Sequence, residues 1–156
     1  MKYIFIFLFV YLNAWNQQQL DVLYKTFNKA KEFNLQYTMS AIALQESNLG
    51  SVLINVGSHD CGVFQVNVDT LSNNKWKRNK LCTRLIKDYD FSFSIALNRF
   101  KYFYNYYISK GYSKNIAWKY AIESYHSGFN RTKGITYYKK IINNIRLIRS
   151  FIYKLD

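Results

Sequence analysis

The sequence predicts a mainly helical single domain with one small β or irregular element behind its second helix. Three observations lead there. Apolar residues recur with a helical period along most of the chain, Pro is absent with only six Gly in 156 residues, and the period breaks over 49–68, where Gly50, Gly57 and Gly62 cluster. A content of 49% apolar and 19% aromatic residues excludes collagen-like, low-complexity and disordered classes. A chain of this length buries enough surface to fold without a metal or several disulfides. Neither an internal repeat nor a linker divides it.

The elements follow in chain order. Met1-Lys2 precedes ten unbroken apolar residues, 3–12, and Asn13-Ala14 then offers a small residue before Trp15. That pattern predicts a signal peptide over 1–14, export, and a mature domain of 15–156; the alternative is an uncleaved anchor or a buried first helix. The run is shorter than the roughly 20 residues a bilayer-spanning helix needs, so no stable membrane span is expected after cleavage. Leu20, Leu23, Tyr24, Phe27 and Ala30 share one stripe and predict a helix over 17–33. Thr38 is placed to cap a second helix that runs through Met39, Ile42 and Ala43 to about Ser47. Short β-prone runs at 52–56 and 63–68 predict a loop or small hairpin. The segment 75–87 holds six basic residues, Trp76 and no acid, and reads either as a track for an acidic polymer or as a solvated basic loop. Phe93, Leu97, Phe100, Tyr104 and Ile108 mark a helix whose other faces, with Ile95, Ala96 and Phe103, are apolar too, which predicts a central position. A helix over 115–125 and a last one marked by Ile135, Tyr138, Ile142, Ile145, Ile148 and Ile152 complete the chain.

Lys and Arg number 22 against nine Asp and Glu, a net charge of +13, so the surface should concentrate anionic partners. Export argues against intracellular nucleic acid as that partner. In an oxidising compartment Cys61 and Cys82 either pair or remain two buried thiols. His59-Asp60-Cys61 lacks metal-ligand spacing, and no metal is expected.

Carboxylates are scarce, and only Glu32, Glu46 and Glu123 are glutamates. Glu32 reads as a solvated surface charge. Glu46 closes the second helix one turn after Ile42 and Ala43, and taken alone reads either as a helix-terminal surface charge or as a carboxyl whose apolar neighbourhood raises its pKa, as a general acid working near neutral pH requires. Around it stand four blocks: AIALQESN over 41–48, GVFQVN over 62–67, AIESYHSG over 121–128 and YYKKI over 137–141.

In that order and spacing, these blocks resemble the catalytic domain of the soluble lytic transglycosylases, relatives of goose-type lysozyme, over about residues 20–145. The resemblance implies an α+β lysozyme-like fold with Glu46 as catalytic acid/base and Ser47 beside it in the family's E-S pair. It implies that Gly62 turns the backbone under the sugar, that Gln65 offers an amide to the saccharide, that Tyr125 lines the cleft, and that Tyr137 closes it. Phe64, Tyr138 and Ile141 read as core residues on apolar faces. His126 stands where the family usually has Asn, and could still donate a hydrogen bond to sugar or backbone. Glu123 replaces a small or neutral residue and reads as an exposed partner of Lys119. Asp60 is either the second carboxylate of a two-acid glycosidase or the initiator of the turn before Gly62.

The activity implied is cleavage of the MurNAc-GlcNAc bond of peptidoglycan to leave a 1,6-anhydro end, with no cofactor. The compact size resembles members that open the wall for a secretion or conjugation apparatus; a monomer at the periplasm or cell wall is expected. Two alternatives stand beside it: a lysozyme-type hydrolase that uses water, and a non-catalytic exported basic protein that binds glycan, lipid or nucleic acid.

Overall fold

The computed structural model describes residues 15–154. The expected leader over 1–14 lies outside the described residues. The chain is mainly helical, with a small three-stranded antiparallel sheet between the second and third helices. The helices are α1 (Gln17–Lys31), α2 (Gln36–Ser47), α3 (Lys75–Lys87), α4 (Tyr89–Ser109), α5 (Lys114–Ser127) and α6 (Arg131–Tyr153). Among the described residues no helix is long and apolar enough to cross a membrane.

Helix α1 starts where a capping box allows it: the Asn16 side chain accepts from the Gln19 N–H and the Gln19 side chain accepts from the Asn16 N–H, both at 2.9 Å. Helix α2 begins two residues before Thr38, which lies inside the helix, buried, and accepts a hydrogen bond from the Trp118 indole at 3.1 Å. The expected Thr38 cap is therefore corrected to an uncapped start after Leu35. Thr38 through Ala43 are all buried, so α2 is covered on every side and packs against α1 and α6. Small side chains at Ser40, Ala41 and Ala43 let neighbours approach closely.

That makes α2 the central helix, a place the sequence pattern assigned to α4. Helix α4 buries Phe93, Ala96, Leu97, Phe100, Phe103 and Tyr107 but leaves Tyr102 and Ile108 at the surface. Counting Tyr as apolar overstates the burial of such a helix, because its hydroxyl end tolerates water. On α6 the buried stripe is Tyr137, Ile141, Ile145, Ile148 and Phe151, while Ile135 is exposed and Tyr138 half-buried. Phe64 and Ile141 are fully buried, as expected of core residues.

The sheet is formed by β1 (Ile54–Asn55), β2 (Asp60–Cys61) and β3 (Val66–Asn67), in that order. Ile54 faces Cys61, Asn55 faces Asp60, Asp60 faces Asn67 and Cys61 faces Val66. The two β-prone runs supply the outer strands, and the middle strand comes from the polar stretch between them. The basic segment is no loop but helix α3, capped by Asn74, whose side chain accepts from the Lys77 N–H at 3.0 Å. Cys61 and Cys82 form a disulfide that ties β2 to α3, with Cα atoms 5.3 Å apart. Asp69 adds a second tie: it accepts from Arg78 at 2.7 Å and pairs with His59 at 2.8 Å, and the His59 hydrogen bond holds its carboxyl below the usual range.

Candidate active site

Helix α2 ends in a sharp reversal that places Glu46 at the rim of the core. Asn48, Leu49 and Gly50 all take positive φ, 50°, 55° and 83°. Left-handed backbone at Asn48 and Leu49 costs about 1–3 kcal/mol each, and the surroundings hold it there. Leu49 is fully buried, and the Asn48 N–H bonds back to the end of the helix. Ser47 locks the turn: its hydroxyl donates to the Val63 carbonyl at 2.7 Å and accepts from the Gly50 N–H at 2.8 Å. Ser47 is buried, so the E-S pair is corrected here: the serine positions Glu46 from inside and does not meet a sugar.

Gly62 makes the tight turn expected of it, but against protein. With φ +81° it sits against α3 and α4, where an added Cβ would lie 2.5 Å from the Leu85 carbonyl oxygen and 2.9 Å from the Ser92 hydroxyl. The close approach that demands glycine is to protein, which presses the sheet onto the helices.

A cavity of about 510 Å³ opens beside Glu46, with Asp60, Gln65, Arg99, Tyr125 and His126 among its lining residues. Four of these are sites expected from sequence. Tyr137 reaches Glu46 from α6, and its hydroxyl donates to Glu46 Oε1 at 2.5 Å. Burial pushes the Tyr137 and Tyr125 phenols above the usual range, so both remain protonated donors. The Tyr125 hydroxyl donates to the Phe64 carbonyl at 3.3 Å. Tyr125, Tyr137 and His126 form a stack: Tyr125 and Tyr137 are 6.4 Å apart and 10° from parallel, His126 and Tyr137 4.8 Å and 8°. The outermost plate, His126, is exposed.

Glu46 is pushed up to about 7. Burial is the main cause, the Tyr137 hydrogen bond opposes it, the Asp60 charge adds to it, and Arg99 opposes it. Asp60 stands on β2 with its carboxylate occupied, accepting from Asn67 Nδ2 at 2.8 Å and from the Ser58 hydroxyl at 2.5 Å. Gln65, at φ 45°, donates its amide N–H groups to the Gly62 and Val52 carbonyls at 3.0 and 3.1 Å, which leaves its carbonyl oxygen as an acceptor at the cavity wall.

Glu123 is not the exposed residue its sequence position implied. It is 1% exposed, with Arg131 at 3.0 Å and Lys119, the expected partner, at 3.9 Å. Helix α6 covers it, because Gly134 allows the two helices to touch where a Cβ would collide with the Glu123 backbone carbonyl. Among the described residues no group of three His, Cys, Asp or Glu could hold a metal ion.

Sequence reading missed Arg99. It lies on α4, half-buried, donates from Nε to the Tyr125 carbonyl at 2.8 Å, and lines the cavity. No local signal set it apart, because Asn98 and Lys101 flank it on the same helix. Compared with known proteins, the chain matches no family model, no curated protein and no solved structure.

Proposed function

We propose that the protein is a peptidoglycan lytic transglycosylase in which Glu46 is the single acid/base. The observation that carries this reading is a half-buried carboxyl pushed up to about 7, held by the Tyr137 hydroxyl, at the wall of a polar cavity large enough for sugar rings. Protonated at neutral pH, Glu46 donates its proton to the glycosidic oxygen between MurNAc and GlcNAc, and the C1–O bond breaks. The carboxylate then takes the proton of the sugar's own C6 hydroxyl, whose oxygen closes on C1 as a 1,6-anhydro ring. One proton leaves Glu46 and one returns, and no water is consumed. Tyr137 fixes the carboxyl's orientation, Tyr125 backs the cleft wall, and the exposed His126 offers a flat face and Gln65 an acceptor to the saccharide.

Asp60 favours one second reading, a hydrolase that activates water, because it lines the same cavity. Its hydrogen bonds from Asn67 and Ser58 favour a scaffolding role instead. Export to the cell wall and service to a secretion or conjugation apparatus follow from the N-terminal pattern and the motif resemblance, and belong to the same proposal.

The deciding experiment is mass spectrometry of the fragments released from purified peptidoglycan by the protein and by Glu46→Gln. Anhydro ends, lighter than reducing ends by one water and absent with Glu46→Gln, are expected. Reducing ends would replace the reading with hydrolysis, and no release by the unaltered protein would favour a binding role.

A further inference from the structure

Arg99 stands in the wall of the cavity beside Glu46 with no carboxylate within 4 Å among the described residues. Arg78, Arg84 and Arg131 each pair with a carboxylate within 4 Å, at Asp69, Asp88 and Glu123, and Arg146 and Arg149, which do not, are exposed. Among the described residues Arg99 has no such partner, although it is half-buried beside two acids, Glu46 and Asp60. The Asp60 oxygens are held by Asn67 and Ser58, and Glu46 is held by Tyr137. Withdrawing a guanidinium from water without pairing it is unfavourable, so an unpaired one in a cavity wall is poised for an anion.

Its geometry is fixed. The Nε–H is spent on the Tyr125 carbonyl at 2.8 Å, and the guanidinium carbon lies 5.6 Å from the Tyr125 ring centre and 5.9 Å from that of Phe103. Locked on one edge, the group retains its remaining N–H donors in a planar fork, the arrangement that matches a carboxylate with two parallel hydrogen bonds. Arg99 is the one Lys or Arg among the described residues that line the cavity.

We propose that Arg99 is the specificity-determining residue of the cleft, binding a carboxylate carried by the glycan's sugar appendage and so selecting acidic wall glycan over neutral chitin-type chains. This rests on the glycan-cleaving reading of the same site. Two sources supply that chemistry, the lactyl carboxylate of a peptide-free strand and the carboxylates of an attached stem peptide.

The test is calorimetric binding to the Glu46→Gln protein, which holds substrate without turnover, and to the same protein carrying Arg99→Gln or Arg99→Lys. The probes are a neutral GlcNAc oligomer, peptide-free glycan strands and peptide-bearing strands. Arg99→Gln is expected to weaken an acidic strand roughly 10- to 100-fold and to leave the neutral oligomer within about twofold. Arg99→Lys is expected to recover part of the loss. The acidic strand that responds identifies the carboxylate's source. Equal losses for neutral and acidic probes, or no loss for any, would overturn the carboxylate site while leaving the glycan cleft standing. Failure of the Glu46→Gln protein to bind any of the three would overturn both.

Discussion

A carboxyl group still protonated near pH 7 has to be kept from water, and Glu46 owes this state to its seat between the end of α2 and the Tyr137 ring. In the proposed role of general acid it would work in the protonated form, so the cleavage rate should fall about tenfold per pH unit above about 7. The Tyr137 hydroxyl favours the ionised form. Tyr137→Phe should therefore move that alkaline limb to higher pH and slow the reaction; a pH-rate profile with an unmoved limb would remove Tyr137 from this role. Stability carries the same information. A carboxyl raised from 4.5 to about 7 on folding makes the native state bind more protons between those values, so its contribution is full below 4.5 and is lost as pH rises through about 7. Glu46→Gln should be more stable than the parent at pH 8, by about 1–3 kcal/mol, and equal to it near pH 4 in urea titrations.

At the scale of elements, the small sheet owes its place to α3 and α4. Two-residue strands cannot hold a register alone, and the Cys61–Cys82 disulfide, with the Asp69 contacts to Arg78 and His59, fastens them to α3. Asp60, next to Cys61, lines the cleft together with Asn55, Val66 and Asn67 of the flanking strands. Reduction should lower the unfolding free energy by about 3 kcal/mol on the chain-entropy estimate, and should lower activity more than global unfolding accounts for. A thiol-reduced protein with unchanged melting temperature and turnover would show that the helix contacts suffice. Gly62→Ala tests the same junction. Its Cβ would meet the Leu85 carbonyl at 2.5 Å in a left-handed backbone, and a loss of about 2–4 kcal/mol is expected in thermal melts.

Across the whole molecule the surplus of positive charge is long-ranged, whereas the recognition proposed at Arg99 is local. The net charge of +13 should draw an acidic polymer from solution, with an attraction that salt screens as the Debye length shrinks from about 10 Å at 0.1 M to about 3 Å at 1 M. Binding of acidic wall strands should therefore weaken several-fold over that range while binding of a neutral oligomer stays flat. Parallel salt curves for the two would mean that the field plays no part in capture.

The sequence alone determined the helical architecture and the position of the β insert, and the resemblance of four short blocks pointed to several, not all, of the residues that line the cavity. The first two are written in local patterns, apolar period and glycine clusters, while the grouping of Glu46, Gln65, Tyr125, His126 and Tyr137 was implied by the family resemblance of the blocks and is seen around the cavity in the structure. Only the tertiary structure decided what each polar group does, because a hydrogen bond between residues far apart in the chain leaves no local trace. Glu46 and Tyr137 are such a pair, 91 positions apart, and Ser47 and Val63 another. The same reason explains why α2 rather than α4 is central, why Glu123 is buried beneath Gly134, and why Arg99 escaped notice. Burial is set by what packs over a side chain, and neighbours in space are chosen by the fold as a whole.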